Sequence, residues 1–201
     1  MVPVKLWQVQ LLQGGVITYK NYVHFTDGIG FTLPFTINAD YKITVVFNDT
    51  VYKLGNAIID NTYSSNYLRF GGYQTSANNG YYSSRGTQVS FWGTWSSGTH
   101  TFICNNGNSH NIFDGVEVAT YIPTTLASAN IHLGGGDIHG EEQRTSPDTY
   151  ISRFKIESLS TGDVICDLRP AIQGQSTHCM YDIINDIAYT SSGLEAVDDI
   201  G

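Results

Sequence analysis

No stretch of this sequence sustains a helical repeat. Its apolar residues instead come in short runs, YVHFTDGIGFTL, YKITVVF, AIID, NYLRFGGY, TQVSFWGTW and HTFICNN among them, each bounded by Gly, Asn or Ser. A helix needs apolar residues at three- and four-residue spacing over about a dozen positions, whereas short alternating runs closed by turn formers read as strands. In YKITVVF the alternation places Tyr41, Ile43, Val45 and Phe47 on one face. NIFDGVEVATY is the clearest hairpin, because Asp114-Gly115 between Phe113 and Val116 is the two-residue signal of a type I′ turn. ANIHLGGG follows, then a polar insertion, DIHGEEQRTSPD, and the strands TYISRFKIES and GDVICDLRP. Many antiparallel strands with no interleaved helix must cover their apolar faces with one another, so the expected fold is an all-β, two-layer antiparallel sandwich.

Composition narrows the function. The 201 residues suffice for one sizeable domain, which at this length buries roughly 70% of the surface of the extended chain. Only ten Lys and Arg stand against eighteen Asp and Glu, a net charge of −8. Phosphate backbones are bound by clustered cations, so nucleic acid is not an expected partner. Neutral sugars, proteins or cations fit an acidic surface better. Cys104, Cys166 and Cys179 lack a CxxC spacing and sit in apolar surroundings, the pattern of buried free thiols rather than of a disulfide framework or a zinc knuckle. No run approaches the ~20 apolar residues of a membrane span. The start, MVPVKLWQVQLLQGG, has its apolar residues interrupted by Gln8, Gln10 and Gln13 and does not read as a secretory signal. A soluble protein without membrane insertion is expected.

Three segments are expected: an arm over 1–16, a sandwich over 17–191 and a tail over 192–201. In the arm, Trp7, Val9 and Leu11 alternate with Gln8 and Gln10 before Gly14-Gly15 allows a change of direction. It is either the first strand of the sandwich or a docking strand that pairs with another subunit's sheet edge. The docking reading implies a homo-oligomer.

The order of motifs resembles a known family. FTDGIGFTLPFTINADYKITVVF, NAIIDNTYSSNYLRFGG, GTWSSGTHTFICNNGNSHNIFDGVEVAT and NIHLGGG resemble the successive strands of laminin-G-like domains of the concanavalin A-like lectin/glucanase superfamily. The closing stretch is similar to a variant found in phage virion proteins and in surface proteins of gut bacteria. Its marks here are Phe154-Lys155-Ile156, Gly162-Asp163, Asp167-Leu168-Arg169-Pro170, Met180-Tyr181-Asp182 with Asn185, and Tyr189-Thr190. The family usually places a basic residue soon after the Pro, whereas this chain has Ala171-Ile172-Gln173. The resemblance implies a jelly-roll sandwich. Read physically, Pro170 cannot donate to a ladder and is expected to end the strand begun at Val164, with Gly174 easing the reversal and Cys179 to Ile184 returning as a strand. Tyr181 and Asp182 point to opposite faces if extended, so one is expected in the core and the other to cap the neighbouring turn.

Catalytic patterns are weak. Glucanases on this fold place carboxylates on alternate residues of one strand to flank the scissile bond, and no ExDxE-like string occurs. Asp114 and Glu117 belong to a hairpin, and Glu141-Glu142 to the polar insertion. No GxSxG elbow or spaced Cys-His signature is present, and Gly134-Gly135-Gly136, followed by no Lys-Ser/Thr, reads as a turn at a strand end. No cofactor is expected. Calcium is the one ion the resemblance allows, with Asp137 and Asp148 flanking the insertion as candidate ligands.

The best recognition candidate is aromatic. NNGYYSSRGTQVSFWGTW gathers Tyr81, Tyr82, Trp92 and Trp95 with Asn79 and Arg85, and sugars suit rings flanked by amide and guanidinium donors. The same residues also suit a core or a subunit interface. The expectation is a non-enzymatic structural or adhesion protein of a phage virion, tail fibre or capsid surface, touching host glycans or another host surface receptor as well as other virion proteins. A carbohydrate-binding domain of a bacterial surface or extracellular protein is the alternative, and a glycoside hydrolase or lyase on the same fold is a third reading.

Overall fold

A computed structural model describes residues 15–26, 30–36, 39–51, 57–60, 68–74, 79–85, 88–92, 96–105, 110–120, 130–134, 136–138, 141–143 and 148–200. No helix occurs among them. In chain order the strands are β1 (Ile17–Tyr19), β2 (Tyr22–Phe25), β3 (Phe31–Thr36), β4 (Tyr41–Asp49), β5 (Ala57–Asp60), β6 (Leu68–Gln74), β7 (Asn79–Arg85), β8 (Gln88–Trp92), β9 (Gly98–Cys104) and β10 (His110–Phe113). They continue with β11 (Val116–Thr120), β12 (Asn130–Leu133), β13 (Gly136–Ile138), β14 (Glu141–Gln143), β15 (Thr149–Ser158), β16 (Val164–Gln173), β17 (Thr177–Asp182), β18 (Ile187–Tyr189) and β19 (Leu194–Val197). The described ladders are antiparallel, as strands joined by short turns must be.

Two sheets carry the fold. The larger has 11 strands with a spine β11-β10-β9-β4-β15-β16-β17-β18, to which β1 attaches through β16 and the β2–β19 pair through β15; the smaller has the order β3-β12-β5-β6-β7-β8. Alternation in β4 buries Ile43, Val45 and Phe47 on one face, as the sequence predicts. These side chains meet the second layer directly. Phe70 of β6 stacks on Phe102 of β9 with ring centroids 4.0 Å apart and lies 5.5 Å from Phe47, while Phe31 of β3 stacks on Tyr189 of β18 at 5.7 Å. One continuous core links both sheets, from Leu33 and Leu133 on one side to Phe154, Ile156 and Leu168 on the other. Each fully buried side chain of this size contributes about 1.5–3 kcal/mol, and their number makes the β-sandwich the dominant stabilising feature. All three cysteines are free and buried in or beside this core.

Two tight features fix the layers. Asp114 and Gly115 both have positive φ, 49° and 81°, the signature of the expected type I′ turn between β10 and β11. Gly30 and Gly134 sit where two backbones cross; a Cβ on Gly30 would lie 1.8 Å from the Leu133 carbonyl oxygen. Only glycine fits there.

Four expectations need correction. Pro170 does not end its strand, because β16 runs through it to Gln173 and pairs Pro170 with Met180. A strand residue directs its N and C=O to the same side, and the Pro170 carbonyl accepts the Lys20 N–H at 2.9 Å on the side away from β17. The missing N–H therefore falls at a fork, where β15 leaves β16 and β1 takes its place, rather than in the β16–β17 ladder. The return strand begins at Thr177 and ends at Asp182, two residues earlier than expected. The polar insertion is not a plain loop, since Gly136–Ile138 and Glu141–Gln143 pair as a small separate hairpin, with Gly136 already in the strand. Residues 192–201 are more than a tail: β19 pairs with β2 from Leu194↔Phe25 to Val197↔Tyr22, so the sandwich extends to Val197.

Candidate functional site

The motif MYDIIND resolves into a turn lock. Asp182 is fully buried, and its carboxylate accepts the N–H groups of Ile184 at 3.0 Å, Asn185 at 3.4 Å and Asp167 at 3.2 Å, besides the Asn185 amide at 2.6 Å. Core position and turn cap thus fall on one residue. Tyr181 is not in the core between the sheets; it packs with Ile17 against a small outer cluster of Ala171, Cys179 and Ala188, and its hydroxyl bonds the Asp186 carboxylate.

Potential nucleophiles and bases are likewise committed to structure. Burial pushes the Cys104 thiol up to about 12 and the Cys179 thiol up to about 11, and raises Cys166 further, chiefly by burial with the Asp182 charge adding to it. Thiols held protonated do not attack carbonyls at neutral pH. His100 is buried with Nδ1 2.7 Å from Asp114 Oδ2 and Nε2 2.9 Å from the Ser96 carbonyl oxygen, while Asp114 Oδ1 accepts the Thr101 N–H at 2.8 Å. This His-Asp pair clamps the β10–β11 hairpin to β9.

The outward face of the larger sheet presents a different chemistry. A register shift between Ile151 and Arg153 leaves Ser152 as an extra residue, its hydroxyl bonded to the Val46 carbonyl at 3.2 Å. With the bulge absorbed, Ile151 and Phe154 remain in the core while Arg153, Lys155 and Glu157 alternate outward; on β16, Asp167 and Arg169 do the same beside buried Cys166 and Leu168. Arg153 binds Asp167 in a fork, Nε to Oδ1 at 2.9 Å and Nη2 to Oδ2 at 2.7 Å. Arg169 approaches the same carboxylate with Nε 3.1 Å from Oδ1 and Nη2 3.3 Å from Oδ2. Burial would raise the Asp167 carboxyl, but the two guanidiniums outweigh it and hold the group below the usual carboxylate range. Next to it, Glu157 lies 3.0 Å from Lys42 and 2.8 Å from Lys155, and these ammonium groups likewise overcome its burial and lower it.

Where β15 and β16 part at the fork, a cleft of about 640 Å³ opens on this face, lined by Tyr19, Lys20, Arg153, Arg169, Pro170 and Ile183 among others. That volume lies within the usual range of ligand sites. Lys20 at its margin is paired with Asp198 at 2.7 Å. Lys20, Lys42, Arg153, Lys155 and Arg169 are half of the chain's ten cations. Their partners along this strip are three carboxylates, Glu157, Asp167 and Asp198, so a surplus of positive charge is concentrated on one face of an acidic protein.

The residues expected to bind glycans lie elsewhere. Tyr81 pairs with Trp92, Tyr82 with Phe91 and Arg85 with Gln88 in the β7–β8 ladder, the last of the smaller sheet's order among the described residues. Alternation puts Asn79, Tyr81, Arg85 and Trp92 at positions of one face, the face that carries Phe70 on β6 through the pair Phe70↔Ser83, and Tyr82 on the other. Trp95 lies outside the described residues, as do Trp7, Val9 and Leu11. Asp137 pairs with Glu142 in the β13–β14 hairpin, and the Asp148 carbonyl accepts the Thr50 N–H at 3.1 Å. Among the described residues no three His, Cys, Asp or Glu side chains gather as a metal site.

Sequence reasoning missed the cleft. Its signal was present as charges at alternate positions, Arg153-Lys155-Glu157 and Asp167-Arg169, but the pairing of two such strands and the fork beside Pro170 are tertiary facts. No protein-family model, no curated protein and no solved structure matches the chain.

Proposed function

We propose that this protein is a non-enzymatic adhesion module, a concanavalin A-like jelly-roll sandwich of the laminin-G-like kind that serves as a tail-fibre or capsid-surface component of a phage virion and contacts host surface glycans. The observation that carries the recognition part is the open cleft on the outward face of the larger sheet, where the Tyr19 ring and the Arg153 and Arg169 guanidiniums stand on paired strands. Sites built on strands hold their geometry better than sites on loops. The virion part rests on the resemblance of the closing motifs, and the β7–β8 hairpin, where Tyr82 holds a position on the face opposite to that of Phe70, is a second candidate for the same task.

A glycan array probed with the full chain tests the recognition part. Binding is expected, with loss in Trp92→Ala or Tyr82→Ala if the hairpin is the site, or in Arg169→Gln if the cleft is. An array without hits overturns it. Light scattering of the full chain and of a chain lacking residues 1–15 tests the virion part: a symmetric oligomer that dissociates on truncation is expected, and a monomer in both forms sinks the docking arm.

A further inference from the structure

Around Asp167 the supply of donors exceeds the demand. Two guanidiniums bring ten N–H groups between them, while one carboxylate accepts about four hydrogen bonds. Arg153 uses two of its own in the fork described above. Arg169 is less well satisfied: its Nε is buried, stands at ion-pair distance from Asp167, and makes no aligned hydrogen bond. Within this triad two positive charges face one negative. The side chains of Arg153 and Arg169 are 32% and 36% exposed, so their remaining donors are accessible to a ligand.

The wall also has apolar members, Tyr19, Val46, Pro170 and Ile183, beside the polar Lys20, Asn21 and Ser152. Tyr19 is 54% exposed and Ile183 44% exposed, unusual for such side chains, and Pro170 shares the lining with them. The Tyr19 ring is steadied by an edge contact with Tyr181, centroids 6.5 Å apart at 74°. A ligand that fits both halves carries one planar anionic group for the guanidiniums and an apolar face for the ring. A single surplus charge suits a monoanion; a polyanion would meet the field of a chain whose net charge is −8.

We propose that the cleft at the β1–β15–β16 fork binds the carboxylate of an acidic saccharide, a uronic or nonulosonic acid, through Arg153 and Arg169, with Tyr19 packed on the sugar ring. The saccharide half of this inference rests on the glycan reading above; the carboxylate half rests on the arginines alone.

The test follows the arginine Nε–Hε signals of the isotope-labelled full chain during titration with glucuronate, N-acetylneuraminate, glucose, glucose 6-sulfate and acetate. Saturable shifts at Arg153 and Arg169 are expected with the two acidic sugars and not with glucose. Arg169→Gln, which leaves the Arg153–Asp167 fork intact, is expected to weaken binding by about tenfold or more, the scale of losing a charge-assisted contact. Tyr19→Ala, at an exposed position, is expected to weaken it several-fold while circular dichroism stays unchanged. No saturable shift, an equal response to glucose, or undiminished affinity in Arg169→Gln overturns the proposal. Equal binding of glucose 6-sulfate overturns the choice of carboxylate, and equal binding of acetate overturns the saccharide half. Array hits for neutral glycans with silent arginines would defeat this inference while leaving the adhesion reading standing.

Discussion

On its inner face the β15–β16 ribbon presents Phe154, Ile156, Cys166 and Leu168, all fully buried; on its outer face the same two strands present Arg153, Lys155, Glu157, Asp167 and Arg169. Adjacent residues, a few ångströms apart along one backbone, thus serve opposite ends. The inner row is replaceable only at large cost, because its neighbours are packed on every side. The outer row is charged and organised in pairs, and apart from buried Asp167 its members are partly wet, so removing one of these costs little stability while changing the surface charge. Packing and surface charge are separated by the period-two alternation of a strand.

Breaking the inner row gives the largest expected effect. Phe154→Ala should destabilise the fold by about 3–5 kcal/mol, read as a shift of the urea midpoint, since it empties a fully buried aromatic site. Acid probes the smaller sheet, where His132 is 6% exposed between Ile131 and Leu133 and its Nδ1 lies 2.7 Å from the Thr32 hydroxyl. Burial lowers the His132 imidazole from 6.5 to about 4. The unfolded chain therefore binds the proton first, and stability should fall as pH drops from about 6.5 to about 4, by up to about 3 kcal/mol, and be regained on return to neutral pH. His132→Gln should flatten this part of the profile in denaturant titrations between pH 7 and 4. Asp182→Ala leaves several backbone N–H groups without their acceptor and should cost about 2–3 kcal/mol by the same measurement. On the outer row, Lys155→Ala should change stability by no more than about 0.5 kcal/mol. A larger loss there would mean that the two faces are not separable.

Much of the frame could be read from the chain, and the reasons are local. Asp114-Gly115 declares its turn because few residues tolerate two successive positive φ angles, and YKITVVF declares its face because alternation is set within the strand. What escaped depends on distant partners. Pro170 looks like a terminator until its nitrogen is seen to face the fork between β15 and β1, so that the β16–β17 ladder loses no N–H there. LEAV near the end is too short to announce a strand, yet it finds β2, some 170 residues earlier, from Leu194↔Phe25 to Val197↔Tyr22. Which of Tyr181 and Asp182 faces the core stays open in the sequence because the small outer cluster that receives Tyr181 is built by Ile17, Ala171 and Ala188 from three other strands. The candidate site was legible only as composition: the rings of β7 and β8 attracted notice, while Arg153 and Arg169, about 60 or more residues further along the chain, acquire meaning from the fork.

The pairing of β2 with β19 also has a mechanical side. Asn21 donates its N–H to the Val197 carbonyl at 3.2 Å and its amide to the Asp198 carbonyl at 2.9 Å, while Lys20 grips the Asp198 carboxylate at 2.7 Å. Polypeptide on either side of the body is thereby stapled at one corner. Tension applied across Asn21 and Asp198 would work on this clasp first, opening it contact by contact, and the aromatic stack of Phe47, Phe70 and Phe102 would bear none of the load until it gave way.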